Sequence, residues 1–249
     1  MSTPERPLPN EYDLFFVEDS FGSVPFEVAR PSIRSSALQT VVNETCSKIL
    51  AYDGSLMSQQ VAGRVFGKLL KPGRISLNTQ PLSSALQGCF DYSLERLHRR
   101  PRYRDLAEAL RRVCGGLTWF REPAGPFASM NFEKSNSHAV VVGPGGLEER
   151  ADARIGIAML APYMRMPDHK LDCPRAYLAL TDFEFSTEST GWMRVEAGTV
   201  CFAPASELVA YRCTATPLLT IWCDIPTPAH STRGHYERST GRTARKHGI

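Results

Sequence analysis

The sequence has 249 residues, of which 42% are hydrophobic and 22% are charged, and its formal net charge is +3. This composition is typical of a globular protein that forms one large domain or two small ones. No stretch approaches the roughly 18 uninterrupted apolar residues that a membrane-spanning helix needs, and the first residues contain no apolar signal segment. We therefore expect a cytoplasmic protein that does not bind membranes.

The positive charge is concentrated at the C-terminal end of the chain. Residues 226–249 contain five basic residues and one acidic residue, which leaves residues 1–225 with a net charge of −1. The main body of the chain therefore lacks the basic balance that is typical of nucleic-acid-binding proteins. We expect a basic, disordered tail over residues 226–249 and no nucleic-acid partner.

The seven cysteines are scattered along the chain without a CxxC pair. Their odd number and irregular spacing indicate neither a disulfide framework nor a thiolate zinc site. We expect them to behave as small buried hydrophobic residues. Cys201 and Cys213 would be nucleophiles only if a neighbouring positive charge lowered their pKa.

The N-terminal part of the chain shows helical periodicity after a polar arm. Residues 1–35 are rich in proline, serine and acidic residues, so we expect a partly ordered arm there. Between residues 36 and 126 the apolar residues recur every three to four positions, which predicts a helical cap region. The individual helices are predicted near residues 56–70, 86–97 and 106–113, the last of them ended by Gly115 and Gly116.

After Pro123 the period of the apolar residues changes to two, which indicates strands. Helices followed by regularly spaced short strands predict an α+β fold with a closed or sandwiched sheet over residues 127–225. The clearest predicted strands lie near residues 138–143, 154–160, 176–181, 198–202 and 217–223.

Two motifs of the cupin fold can be placed in register on this segment. They read Gly-x5-His-x-His-x3-Glu-x6-Gly and Gly-x5-Pro-x-Gly-x2-His, and strand alternation directs their ligands to one metal. Three nitrogens and a carboxylate suit Fe, Mn, Ni or Zn. His169 keeps the first ligand position, whereas the other three are occupied by Leu171, Arg175 and Val209. We predict a C-terminal cupin β-barrel of the jelly-roll type preceded by a helical N-terminal portion.

Six segments carry a further match, namely residues 137–146, 154–162, 166–169, 175–177, 198–204 and 217–222. Together they resemble the dimethylsulfoniopropionate lyase family over about residues 127–225. That family has a cupin barrel behind a helical cap and cleaves its sulfonium substrate to dimethyl sulfide and acrylate. A metal polarises the substrate carboxylate, and a tyrosine removes the proton α to it. The resemblance therefore implies a carbon–sulfur lyase that acts on a small carboxylate-bearing molecule.

Four residues are candidates for the site. The resemblance places Tyr177 at the active-site tyrosine and His169 at the first metal histidine. Arg175 carries a permanent charge that repels a divalent cation, and its planar fork matches a carboxylate. We predict catalytic roles for Tyr177, Arg175 and Glu207, the last from the loop of the second motif, and we expect Arg175 to lower the Tyr177 pKa so that the phenol acts as base or donor.

Several alternatives remain open at this stage. We expect no cofactor, or else a single weakly bound divalent transition metal at His169, with Fe, Zn, Mn and Ni as candidates. His169 would bind no metal and Arg175 no carboxylate if their side chains faced solvent. Tyr177 would have no catalytic role if it were only a core residue. The chain would then be a non-catalytic cupin that binds a small anion or a protein, or a metal-independent isomerase or cyclase.

Three further expectations concern His138, the arginines of residues 99–112 and the oligomeric state. His138 begins a strand, and we expect a structural role for it. The arginines of residues 99–112 are expected to form a solvated face rather than a contact surface for an acidic partner. A homodimer is left open, because cupins often pair through their sheets.

Overall fold

The computed structural model describes residues 33–227. The predictions for the arm 1–35 and the tail 226–249 therefore fall almost entirely outside the described residues. None of the helices in residues 33–227 is both long enough and apolar enough to cross a membrane. The helices are α1 (Ser36–Leu50), α2 (Leu56–Leu69), α3 (Ser84–His98), α4 (Arg104–Val113) and the short α5 (Phe132–Ser135).

The first two helices begin where serine side chains satisfy free backbone donors. The Ser35 oxygen accepts a hydrogen bond from the Leu38 amide, and the Ser55 oxygen accepts one from the Ser58 amide, each at 3.2 Å. Helix α1 contacts both α2 and α4. The buried apolar face of α1 consists of Leu38, Val41, Val42, Cys46 and Ile49, at the three-to-four-residue spacing of a helix that packs on a core.

The strands follow the helices in chain order, apart from two short ones. In the part of the chain that the structure describes there are twelve strands, in two sheets. They are β1 (Arg74–Ile75), β2 (Trp119–Phe120), β3 (Asn136–Val142), β4 (Glu148–Glu149), β5 (Arg154–Leu160), β6 (His169–Lys170), β7 (Arg175–Ala179), β8 (Phe183–Thr187), β9 (Gly191–Val195), β10 (Val200–Ala203), β11 (Leu208–Arg212) and β12 (Leu218–Asp224).

The larger sheet has the order β1-β4-β3-β5-β12-β7-β10, and β2 also pairs with β3. The smaller sheet has the order β6-β11-β8-β9. All of these ladders are antiparallel except the one between β3 and β4. Strands that are distant in sequence therefore become neighbours, which brings residues near 154, 175 and 224 side by side.

The larger sheet is buried on both faces, so its strands have two different sets of neighbours. Along β5, Ile155, Ile157 and Met159 belong to the core shared with the helices. The alternate residues Ala158 and Leu160 belong to a second core between the two sheets. This alternation is what strand geometry dictates. The second core also contains aromatic residues of both sheets, namely Tyr177, Trp222, Phe183, Phe185 and Tyr211.

The helical cap followed by a strand-rich segment agrees with the prediction of an α+β fold. The predicted helices and strands occur, with ends shifted by a few residues. Among the described residues no ladder joins the larger sheet to the smaller one. The structure therefore shows two facing sheets, and the closed jelly-roll barrel stays a prediction.

A buried ion pair connects the start of the helical region to the larger sheet. Arg34 donates to both carboxylate oxygens of Glu148, and it also donates to the Leu69 carbonyl at 2.7 Å. Glu148 further accepts from the Gly73 amide at 2.7 Å and from Arg150 at 3.2 Å. Burial alone would raise the pKa of Glu148, but these donors outweigh it and hold that pKa below its ordinary value.

We expect Arg34→Met to lower the free energy of unfolding by about 3 kcal/mol, because it leaves the buried Glu148 charge without its main partner. Urea denaturation at pH 7 measures the loss. Arg99→Met is the control, since Arg99 pairs with Glu95 at the surface, where an ion pair contributes little. Equal losses in the two variants would contradict the assignment of Arg34 as a structural anchor.

Candidate active site

A row of three charged residues crosses the larger sheet. Asp224 at the end of β12 lies directly opposite Arg154 of β5 on one side and Arg175 of β7 on the other. Arg154 donates to both Asp224 oxygens, at 2.6 and 3.0 Å, and the Arg175 Nε donates to Oδ2 at 2.8 Å. Two guanidinium groups thus share one fully buried carboxylate, and the row keeps a net positive charge.

Asp224 and two aromatic rings hold Arg175 in place. Its guanidinium carbon lies 3.8 Å from the centre of the Trp222 ring and 5.9 Å from that of Tyr177. The side chain is 15% exposed, so it can be reached from solvent. Only Nε contacts Asp224, and neither terminal nitrogen hydrogen-bonds a carboxylate of the described residues. This placement meets the condition that an anion-binding role for Arg175 requires, and the role itself remains a prediction.

Tyr177 lies deeper in the same interior. It is 1% exposed and packs against Phe185 and Tyr211, with ring centres 5.4 and 6.2 Å apart. Its hydroxyl makes no hydrogen bond of normal geometry with a described residue. Burial raises the pKa of Tyr177 above its ordinary value, although the Arg175 charge acts in the opposite direction. The expectation of a lowered pKa was therefore wrong, because burial outweighs the charge.

His169 begins β6 and lies opposite Val209. Its Nδ1 is 2.9 Å from the Pro167 carbonyl oxygen. A carbonyl can only accept, so Nδ1 carries the hydrogen and Nε2 of the neutral ring keeps a free lone pair. The ring meets Tyr211 edge-on, with centres 6.1 Å apart. Burial lowers the pKa of His169, and Arg175 acts in the same direction, which keeps the imidazole neutral.

Glu207 is held at a turn by polar contacts of its own. Its Oε2 accepts hydrogen bonds from the Ser189 amide at 3.2 Å and from the Ser189 hydroxyl at 2.8 Å. Ser189 lies in the turn between β8 and β9. The structure thus brings His169, Arg175 and Tyr177 together and ties Glu207 to this turn, so a catalytic role for Glu207 remains a prediction.

His138 belongs to the same interior, although only a structural role was expected of it. It lies opposite Ala158 of the inner core, is 7% exposed and stacks on Phe120 with ring centres 5.8 Å apart. Its Nε2 has no hydrogen-bond partner among the described residues. Burial, with the nearby His169 and Arg175, lowers the pKa of His138 to about 3. Strand alternation is the sequence pattern that could have indicated this placement, because it puts His138 on the same face as Val140.

Two carboxyl groups that interact with Arg175 were also not predicted from the sequence. Asp224 ends an otherwise apolar strand. This position is the sequence feature that indicates a buried partner for its carboxylate. Glu122 precedes Pro123 in a stretch without periodicity, so no sequence signal marks it. Burial raises the pKa of Glu122 and Arg175 opposes the shift, which brings this carboxyl within the electrostatic reach of the same guanidinium.

The helical layer on two facing sheets, with polar side chains directed between them, defines a cupin-like protein. The chain belongs to the dimethylsulfoniopropionate lyase family, whose model matches residues 58–220. No curated protein matches the chain in sequence. The class and the family thus agree with the resemblance that the motifs predicted.

Solved structures show the same fold. One is a chain from the crystal structures of the dimethylsulfoniopropionate lyases RdDddP and RnDddQII, with a TM-score of 0.57 and 15% identity over 77% of this chain and 93% of that chain. Another is the lyase DddQ from Ruegeria pomeroyi DSS-3, with a TM-score of 0.54 and 15% identity over 79% and 94% of the two chains.

The residues present do not fit a metal site of the kind that the motifs describe. Leu171 and Val209 are buried in the inner core and carry no donor atoms. Arg175 places a cation where the motif has a carboxylate, which would repel a divalent ion. Within residues 33–227 there is no cluster of three or more His, Cys, Asp or Glu side chains that could hold a metal.

The buried neutral state of His138 predicts a pH dependence of stability. The pKa of His138 is about 3 in the folded protein and about 6.5 when unfolded, so the unfolded chain binds the proton more readily. The contribution of neutral His138 to the free energy of unfolding is therefore complete above pH 6.5. It is lost as the pH falls toward 3, by up to about 1.4 kcal/mol per pH unit.

We expect the free energy of unfolding in urea to fall more steeply between pH 7 and pH 5 in the wild-type protein than in His138→Phe. A slope unchanged in His138→Phe would show that His138 is not buried in the neutral form.

Proposed function

We propose that this protein is a dimethylsulfoniopropionate lyase-like cupin that binds a small carboxylate and transforms it by proton abstraction and β-elimination. Family membership supports the reaction class. The observation that carries the proposal is Arg175, which is anchored by Asp224 and Trp222 and keeps both terminal nitrogens unpaired with carboxylate. In the proposed site, these two nitrogens bind the substrate carboxylate as a bidentate pair.

Tyr177 acts beside Arg175 as a hydrogen-bond donor. Its raised pKa means that the phenol keeps its proton at neutral pH. Its hydroxyl makes no hydrogen bond of normal geometry within the described part of the chain. Donation to the bound carboxylate would satisfy the hydroxyl. Together the two groups would stabilise the negative charge that develops on the carboxylate when the α proton leaves, which is the job of an oxyanion site.

His169 takes the α proton in this proposal. Its Nε2 carries the lone pair because Nδ1 donates to Pro167. When the α C–H bond breaks, its electron pair forms the new C=C bond and the β substituent departs with the electrons of its own bond. From dimethylsulfoniopropionate the products are acrylate and neutral dimethyl sulfide, and the proton remains on His169.

The proposed scaffold is a single closed barrel over residues 127–225 with residues 36–126 as its cap. One inner core contains residues of both sheets, including Tyr177 and Val209, which supports closure. Helices α1, α2 and α4 contribute to the core on the outer face of the larger sheet, which supports the cap.

A second candidate function is non-catalytic binding of a small anion. The burial of Tyr177 favours it, because at 1% exposure the phenol can reach a ligand only after its neighbours move. A site with a strong carboxylate contact and restricted access can bind without turning over.

The decisive experiment follows acrylate by NMR and dimethyl sulfide by gas chromatography with a panel of 3-substituted propionates that includes dimethylsulfoniopropionate. We expect His169→Gln to lower the rate of acrylate release at least about 100-fold, as the loss of a general base does, with propionate affinity unchanged. Arg175→Met should weaken propionate binding at least about tenfold, because a charge-assisted bidentate contact is lost.

Arg212→Met is the matched control, because Arg212 also pairs with a carboxylate, Glu184, and stacks over a tryptophan, Trp192, at 4.3 Å. It should bind and react as the wild type does. Propionate binding without acrylate from any substrate would favour the non-catalytic function. Propionate affinity unchanged in Arg175→Met would rule out the carboxylate site itself.

A further inference from the structure

Two buried polar atoms of the interior, the His138 Nε2 and the Tyr177 hydroxyl, make no hydrogen bond of normal geometry with any residue between 33 and 227. Both residues are more than nine-tenths buried. A buried polar group without a hydrogen bond costs about 1–3 kcal/mol, so native proteins contain few of them. Two on one inner face indicate that a bound molecule completes their hydrogen bonds.

Strand register places both rings on the same inward face. Tyr177 lies opposite Trp222, Trp222 opposite Gly156, and Gly156 opposite Val140. His138 is two residues from Val140 on β3 and therefore points to the same side. The charge of Arg175 acts on both residues, so both lie within the electrostatic reach of one guanidinium.

The Trp222 ring is covered on both faces. A Cβ atom on Gly156 would lie only 2.2 Å from the Trp222 Cζ2, so the indole lies flat on the glycine. The Arg175 guanidinium covers the other face, 3.8 Å from the ring centre. Trp222 therefore offers no open face for a cation–π contact with a sulfonium group. A sulfonium also has no donor or acceptor for the His138 nitrogen.

Building on the proposed function, we infer that the ligand of this site is a short carboxylate that also carries an uncharged hydrogen-bonding group such as a hydroxyl. The carboxylate lies on Arg175 and the Tyr177 hydroxyl, and the hydroxyl pairs with the His138 Nε2. A neutral imidazole serves either as donor or as acceptor for a hydroxyl, depending on its tautomer. His138 is thus the residue that determines specificity.

The test titrates the full-length protein with propionate, lactate, 3-hydroxypropionate and dimethylsulfoniopropionate by calorimetry. We expect at least one hydroxy acid to bind about tenfold or more tightly than propionate, because a hydrogen bond then replaces an unmet one. His138→Phe should remove this preference while leaving propionate affinity unchanged. His138→Gln, which restores a hydrogen-bonding group, should recover part of it.

Each contrary outcome has a distinct meaning. Hydroxy acids that bind within twofold of propionate would overturn the inference and leave the proposed carboxylate site standing, with water on the two atoms. Tighter binding of dimethylsulfoniopropionate would also overturn it and would point to Glu122 as the group that selects a cation. Failure of every acid to bind would reject the carboxylate site and this inference together. Circular dichroism of each variant confirms that it is folded.

Discussion

The buried carboxylate of Asp224 is the contact on which the inner site depends. It lies between Arg154 and Arg175 because antiparallel pairing brings the ends of β5, β12 and β7 into one row. Neither arginine could be buried there without this anion, since an unpaired charge in an apolar interior is expensive. Asp224 binds Arg175 through Nε only, so it fixes the guanidinium, and in the proposed site the terminal nitrogens bind the ligand.

The residues that replace the motif ligands change the sign of the charge in the interior. An arginine in place of a glutamate reverses the sign of the local charge, so a position that would attract a metal now attracts an anion directly. Leu171 and Val209 fill the space of two further ligands with apolar volume. The scaffold is kept, and in the proposed site the protein itself supplies the charge that neutralises the substrate carboxylate.

Much of the fold could be predicted from the sequence, because the period of the apolar residues reports which face of each helix or strand is buried. The cupin register also identified the strand that carries Arg175 and Tyr177. The partners of these residues could not be predicted. Asp224 and His138 lie far away in sequence and reach the site only through strand register. The rise in the Tyr177 pKa was not predicted, because the direction of the shift depends on the extent of burial, which the sequence does not report.

The central claim is that Arg175, rather than a metal, receives the substrate carboxylate. The most direct measurement is the propionate dissociation constant of the purified full-length protein before and after exhaustive treatment with EDTA. The account predicts the same value in both states. Loss of binding on chelation, with recovery when a divalent transition metal is added, would contradict it.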